Sequence, residues 1–197
     1  MEKDTTQARY SLKLFTPHRW SLFSLLVLAI SAIWIWHSAL PIDASSDGRI
    51  ASPRKGFYAP DFSLPTLSGE VITLSELHGR PVLINLWATW CPPCRAEMPD
   101  LQTIYETYQE QGFLVLAVNA TYQDSSASVS AFVEEYELTF PVLMDHDGET
   151  ARQYQMRALP TSFFVDREGI IQEVIVGGPM APALLQVRVE QLLEETP

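Results

Sequence analysis

The longest unbroken apolar stretch runs from Trp20 to Leu40 (WSLFSLLVLAISAIWIWHSAL) and contains no Asp, Glu, Lys or Arg. It is long enough to span a bilayer, which takes about 20 residues, and it is apolar all round rather than on one stripe. Trp20 at one end and Trp34 and Trp36 near the other fall where interfacial aromatic belts settle. The pattern predicts one transmembrane helix over 20–40. A cleaved signal peptide would have a shorter apolar core and a small-x-small site, and the region from Ser38 to Ala44 offers only a poor one. Lys3, Arg9, Lys13 and Arg19 precede the stretch, whereas Asp43 and Asp47 follow it. The positive-inside rule then makes 1–19 a cytoplasmic tail and puts the rest of the chain outside the cytoplasm, tethered to the cell membrane by an uncleaved anchor.

Residues 41–56 (PIDASSDGRIASPRKG) show no periodicity and read as an exposed linker, leaving 57–197 as one folded domain. Val82 to Trp87 (VLINLW) is a short, nearly continuous apolar run, as expected of a strand buried on both faces. From Pro92 to Gln111 the apolar positions Met98, Leu101, Ile104, Tyr105 and Tyr108 recur at helical spacing, with Gly112 as the terminator. Phe113 to Asn119 reads as a second buried strand, which makes a parallel strand-helix-strand unit. Helices are expected at Ser126 to Tyr136, Glu149 to Gln155 and Pro182 to Glu194, and strands at Ser162 to Val165 and Ile170 to Ile175. Asp61 to Leu64 and Val71 to Leu74, around a Ser68-Gly69 turn, suggest an N-terminal hairpin extension. The alternation predicts an α/β fold with a central mixed sheet flanked by helices.

Charge narrows the range of partners. Residues 1–40 hold four of the chain's 13 Lys/Arg and two of its 24 Asp/Glu, so the remainder carries nine against 22, a net charge of −13. Such a surface repels phosphate backbones, and with no basic stripe present nucleic acid is not an expected partner.

The chain has two cysteines, Cys91 and Cys94, in the run Trp-Ala-Thr-Trp-Cys-Pro-Pro-Cys between the first buried strand and its helix. A helix N-terminus favours thiolate, so this placement suits redox chemistry. Cys91, at the outer position, attacks a partner's disulfide, and Cys94, one turn inside, resolves the mixed disulfide. A zinc site would need further ligands, and His18, His37, His78 and His146 form no pair with ligand spacing, so no metal is expected. Pro92 and Pro93 lack N–H groups and leave fewer donors for a thiolate on Cys91. A less stabilised dithiol is a better reductant, which predicts a potential nearer about −270 mV than about −120 mV.

The run from Asn85 to Pro99 (NLWATWCPPCRAEMP) resembles the active site of TlpA/ResA-like thioredoxins, extracytoplasmic relatives that include reductases for cytochrome c maturation. The resemblance extends in element order over about Phe57 to Leu193, including Leu159-Pro160-Thr161, and implies a thioredoxin-like fold. It further implies a cis peptide bond before Pro160, facing the Cys-x-x-Cys, with the Leu159 backbone free to pair with an extended client. Thioredoxin's buried acid is replaced by Asn85, and Glu97, three residues after Cys94, takes over proton transfer in this resemblance; a plain first-turn acid favoured by the helix dipole is the competing reading. Trp90, Pro92 and Pro93 join Leu159 and Pro160 as substrate-binding candidates. Trp87 reads equally as core. Tyr122 to Ser130 is either a substrate-selecting loop or a solvated connection.

These readings converge on a thiol-disulfide oxidoreductase whose only redox group is the Cys91–Cys94 disulfide, with no added cofactor. Its expected partners are protein disulfides, such as the haem-binding cysteines of apocytochrome c, and a dithiol electron donor in the membrane. A thiol peroxidase of the peroxiredoxin type is a weaker alternative, because Ala88 stands where such enzymes carry threonine three residues before the reactive cysteine. A non-catalytic copper-delivery module is the other, though it would be expected to add a histidine or methionine beside the thiols.

Overall fold

The computed structural model describes residues 24–31, 34 and 50–194, and the chain divides into two units, 1–48 and 49–197. In the first unit, residues 24–31 and 34 are helical. No helix among the described residues is long and apolar enough to cross a membrane. The predicted tail over 1–19, much of the predicted span over 20–40 and residues 41–49 of the predicted linker lie outside the described residues.

The second unit is built on a five-stranded mixed sheet in the order β5-β4-β3-β6-β7. β3 (Val82–Trp87) lies at its centre, parallel to β4 (Leu114–Asn119) and antiparallel to β6 (Thr161–Val165). β4 pairs in parallel with β5 (Val142–Met144), and β6 pairs antiparallel with β7 (Ile171–Val176). All six residues of β3 and of β4 are buried, as continuous apolar runs require of strands covered on both faces. A separate two-stranded antiparallel sheet joins β1 (Ser63–Pro65) to β2 (Val71–Thr73).

Side-chain alternation assigns the two faces. Leu83 and Trp87 of β3 pack with Met98, Leu101, Ile104 and Tyr108 of α1 (Pro92–Tyr108), Phe132 of α2 (Ser126–Glu135) and Leu185, Val189 and Leu192 of α4 (Pro182–Glu194). Val82, Ile84 and Leu86 point to the opposite face, where Phe62, Leu64, Leu74 and Tyr154 cover them. With a period of two, Asn85 must project with Leu83 and Trp87 toward α1. That parity puts a polar side chain under the first turns of the helix.

α1 ends at Tyr108 and continues as a 3-10 turn over Gln109–Gln111, with Gly112 left-handed at φ 93°. α3 (Glu149–Gln153) is two residues shorter than its pattern suggested. β5 was not anticipated, because three apolar residues after Pro141 carry no period of their own. The folded body also begins earlier than Phe57: Ala51 bridges to Tyr58, and the Gly56 N–H donates to Ile171 O at 2.7 Å.

Candidate active site

Cys91 is the N-cap of α1 and is joined to Cys94 by a disulfide. Pro92 and Pro93 occupy the first two helical positions, where their fixed φ suits helix initiation and their missing N–H groups remove two of the end donors. The first free N–H of the turn, that of Cys94, points at Cys91 Sγ over 3.3 Å. Cys91 is 3% exposed and Cys94 fully buried, and Cys91 lines the groove described below.

Glu97 lies on the buried stripe of α1 with Cys94 and Leu101, and it is only 1% exposed. Its Oε1 accepts from Asn85 Nδ2 at 2.8 Å, and its Oε2 accepts from the Met180 N–H at 3.4 Å. Asn85 Nδ2 also donates to Ser162 Oγ at 2.9 Å, as its register opposite Ser162 in β6 allows, while Asn85 Oδ1 has no protein partner. Burial pushes the Glu97 carboxyl up from its ordinary range; the Asn85 and Met180 donors oppose this, and the Asp100 charge adds to it. Glu97 is therefore a carboxyl able to gain and lose a proton nearer neutrality than a surface glutamate. No hydrogen bond joins it to either sulfur in the disulfide state.

The Leu159–Pro160 peptide bond is cis, and so is Gly178–Pro179. The two turns meet at Glu97: the Gly177 N–H donates to Pro160 O at 2.8 Å. A Cβ on Gly178 would stand 2.6 Å from Pro160 Cγ and 2.8 Å from Glu97 Oε2. Only glycine fits between them.

The loop before Cys91 is clamped from the side. Asp124 accepts from the Thr89 N–H and Thr89 Oγ1, both at 2.7 Å, from Asn119 Nδ2 at 3.1 Å and from the Ser125 N–H at 2.9 Å. Burial alone would raise its pKa, yet these donors outweigh it and hold the carboxyl below its ordinary range. Trp90 is 54% exposed, and its indole N–H donates to Gln123 O at 3.0 Å. Trp90, Cys91, Pro92, Tyr122, Met156 and Leu159 line an open groove that also includes Pro93.

Comparison with known proteins agrees with this geometry. The sequence model of the AhpC/TSA family matches residues 56–174. The chain is 45% identical over 125 residues to the thioredoxin-like protein YneN of Bacillus subtilis, covering 63% of this chain and 72% of that one. It is 38% identical over 158 residues to the thiol-disulfide oxidoreductase ResA of Oceanobacillus iheyensis, covering 78% and 79%. A crystal structure from Chlorobium tepidum, provisionally named the thiol:disulfide interchange protein DsbE, superposes with a TM-score of 0.66 at 35% identity, over 71% of this chain and 98% of that one. The chain belongs to the TlpA/ResA-like thioredoxin family.

As a family member with its Cys-x-x-Cys closed at the helix N-terminus, it is a thiol-disulfide oxidoreductase. The structure brings most of the candidates named from the sequence to one groove, but Pro160, a substrate-binding candidate, is buried and does not line it. Cys91, Trp90, Pro92, Pro93 and Leu159 share one groove, and Pro160 and Glu97 meet through Gly178 behind it. Trp87 is fully buried and belongs to the core. Ser162, Gly178 and the Met180 N–H escaped the sequence reading. The Gly177-Gly178-Pro179 run was a visible turn signal, but it did not reveal what the turn approaches. Among the described residues no three His, Cys, Asp or Glu side chains cluster as metal ligands.

Proposed function

We propose that this oxidoreductase is a reductase of specific protein disulfides, anchored to the cell membrane by 20–40 with its catalytic domain outside the cytoplasm. The observation that carries the reductive direction is the cap of α1: prolines at its first two positions leave the Cys94 N–H as the donor aimed at Cys91 Sγ. Few donors mean a weakly stabilised thiolate and a dithiol that gives up electrons readily. Cys91 is the nucleophile, Cys94 the resolver and Glu97 the proton exchanger for the inner thiol. The Leu159 backbone beside cis Pro160 receives an extended client, and the β1–β2 pair is the N-terminal hairpin extension of the family.

In the reaction, the Cys91 thiolate attacks one sulfur of a client disulfide and displaces the other as a thiolate. Cys94 then loses its proton and attacks Cys91 Sγ. The client leaves with two thiols, and the protein keeps the disulfide, which a membrane dithiol donor reduces again. The disulfide needs no further cofactor. Clients with closely spaced cysteines, such as the haem-binding pair of apocytochrome c, are the substrates that the family resemblance favours.

Replacing Cys94 by Ser stops the cycle at the mixed disulfide. In cells this variant is expected to accumulate adducts through Cys91 with envelope proteins, and their absence from every fraction would reject the dedicated-reductase reading. Equilibration of the wild-type protein with glutathione is expected to give a potential nearer about −270 mV than about −120 mV.

A further inference from the structure

The groove beside Cys91 does not end at Leu159. A second concavity, lined by Tyr122, Arg152, Gln155, Met156 and Arg157, shares Tyr122, Met156 and Arg157 with the first, so one channel leads from the sulfur to the arginines. Tyr122 forms its wall because Gly148, at φ +70°, leaves room for the ring; a Cβ there would lie 3.0 Å from it. The side chain of Arg157 is exposed and engages no other group among the described residues. Arg152, by contrast, donates to Asp147 O at 2.9 Å. The half-buried carboxylate that clamps the reactive loop, Asp124, is already occupied by Thr89, Asn119 and Ser125. An unpaired guanidinium in the client groove stands out on a domain whose net charge is −13, nine basic against 22 acidic residues beyond residue 40.

We propose that Arg157 is a specificity residue that selects client segments carrying an acidic side chain near the cysteine under attack. The inference rests on the disulfide-reductase reading and names the client chemistry it favours. Arg157 lies two residues before Leu159, hence at most about 7 Å along the chain. A client strand paired with the Leu159 backbone therefore brings its side chain two or three residues from the target cysteine within reach of the guanidinium. A carboxylate there gains a charge-assisted hydrogen bond that a lysine cannot make. The overall negative field works against an anionic client, so any preference for one must come from local cations.

The test uses the full chain, reduced and held in non-ionic detergent, with three synthetic peptides. Each bears one cysteine as its mixed disulfide with 5-thio-2-nitrobenzoate and has Glu, Ser or Lys two residues away. Cys91 thiolate bonds to the peptide sulfur and expels the coloured aryl thiolate. Cys94 then attacks Cys91 and releases the peptide thiol, so two electrons pass from the dithiol to the mixed disulfide. The Glu peptide is expected to react about fivefold faster than the Lys peptide at low salt, the worth of one surface ion pair. About 1 M salt should erase the difference. Arg157→Lys should keep the order, and Arg157→Glu should reverse it. An unchanged order in Arg157→Glu, or equal rates for all three peptides with the wild type, overturns the inference while leaving the reductase reading intact. Failure of the fully reduced wild type to react with any peptide would overturn the reductase reading itself.

Discussion

Glu97 is pulled two ways. Burial raises its pKa, and the Asn85 amide and Met180 N–H, which stabilise the carboxylate, lower it. If it exchanges protons with Cys94, the rate of the resolving step must carry its titration. Glu97→Gln should remove that limb of the pH–rate profile and slow resolution on the order of 10²-fold, the usual worth of a positioned acid or base. Asn85→Ala removes the stronger opposing donor, so the limb should move to higher pH rather than vanish. Stopped-flow oxidation of the reduced protein, followed by Trp90 fluorescence across pH, checks both. Identical profiles in wild type and the two variants would leave Glu97 as a merely structural acid. The N–H count at Cys91 belongs to this scale as well. It could be read from the sequence because proline's missing donor is a covalent fact, whereas Asn85's role needed the strand parity that sets it under α1.

At the scale of elements, the turn after β7 must thread between cis Pro160 and Glu97, and Gly178 is the point of contact. Gly178→Ala should cost about 1–3 kcal/mol in urea unfolding through overpacking and should also shift the Glu97 limb. Gly177→Ala is the control: its Cβ meets nothing within 4 Å, but φ is +87°. It should destabilise by roughly 1–2 kcal/mol through left-handed backbone strain and leave the limb in place. An equal effect of both variants on the limb would refute the contact argument. This contrast also marks how far the sequence could be read. β3 and α4 were legible to the residue, and α1 nearly so, because an unbroken apolar run and a helical stripe are local signals. β5 was too short to show a period, and the ends of α2 and α3 slipped by a residue or two where capping decides them. Glu97 was singled out by the family resemblance together with its place three residues after Cys94. Ser162, Gly178 and Met180 were not, because each reaches the site through tertiary pairing that leaves no mark on neighbouring residues.

For the molecule as a whole, the carboxyls with shifted pKa values are expected to shape stability against pH in opposite directions. Asp124 has a depressed folded pKa, so its contribution is present above the unfolded carboxyl range, about 3.9, and is lost as pH falls through the folded value. Glu97 and Asp145 are raised, in both cases first by burial, with backbone donors from Ala151 and Thr150 opposing the shift at Asp145. For these two the folded state holds its proton more tightly than the unfolded chain. Their contribution is fully present below the unfolded pKa and declines as pH rises through the folded one. Each proton that differs between the states is worth about 1.4 kcal/mol per pH unit. With the disulfide kept closed, the cysteines do not titrate and cannot mask this. Urea midpoints measured from about pH 3 to 8 should rise on leaving the acid side and then sag through the titrations of Glu97 and Asp145. Glu97→Gln should lie below or level with the wild type at the acid end and gain on it steadily as pH rises, because it removes a carboxylate that must be ionised in a buried site. Asp124→Asn should do the reverse, losing most at neutral pH and converging with the wild type in acid. A Glu97→Gln difference that stays constant across the range would mean that the carboxyl titrates as it does in the unfolded chain, and the proton-exchange role built on its burial would fall with it.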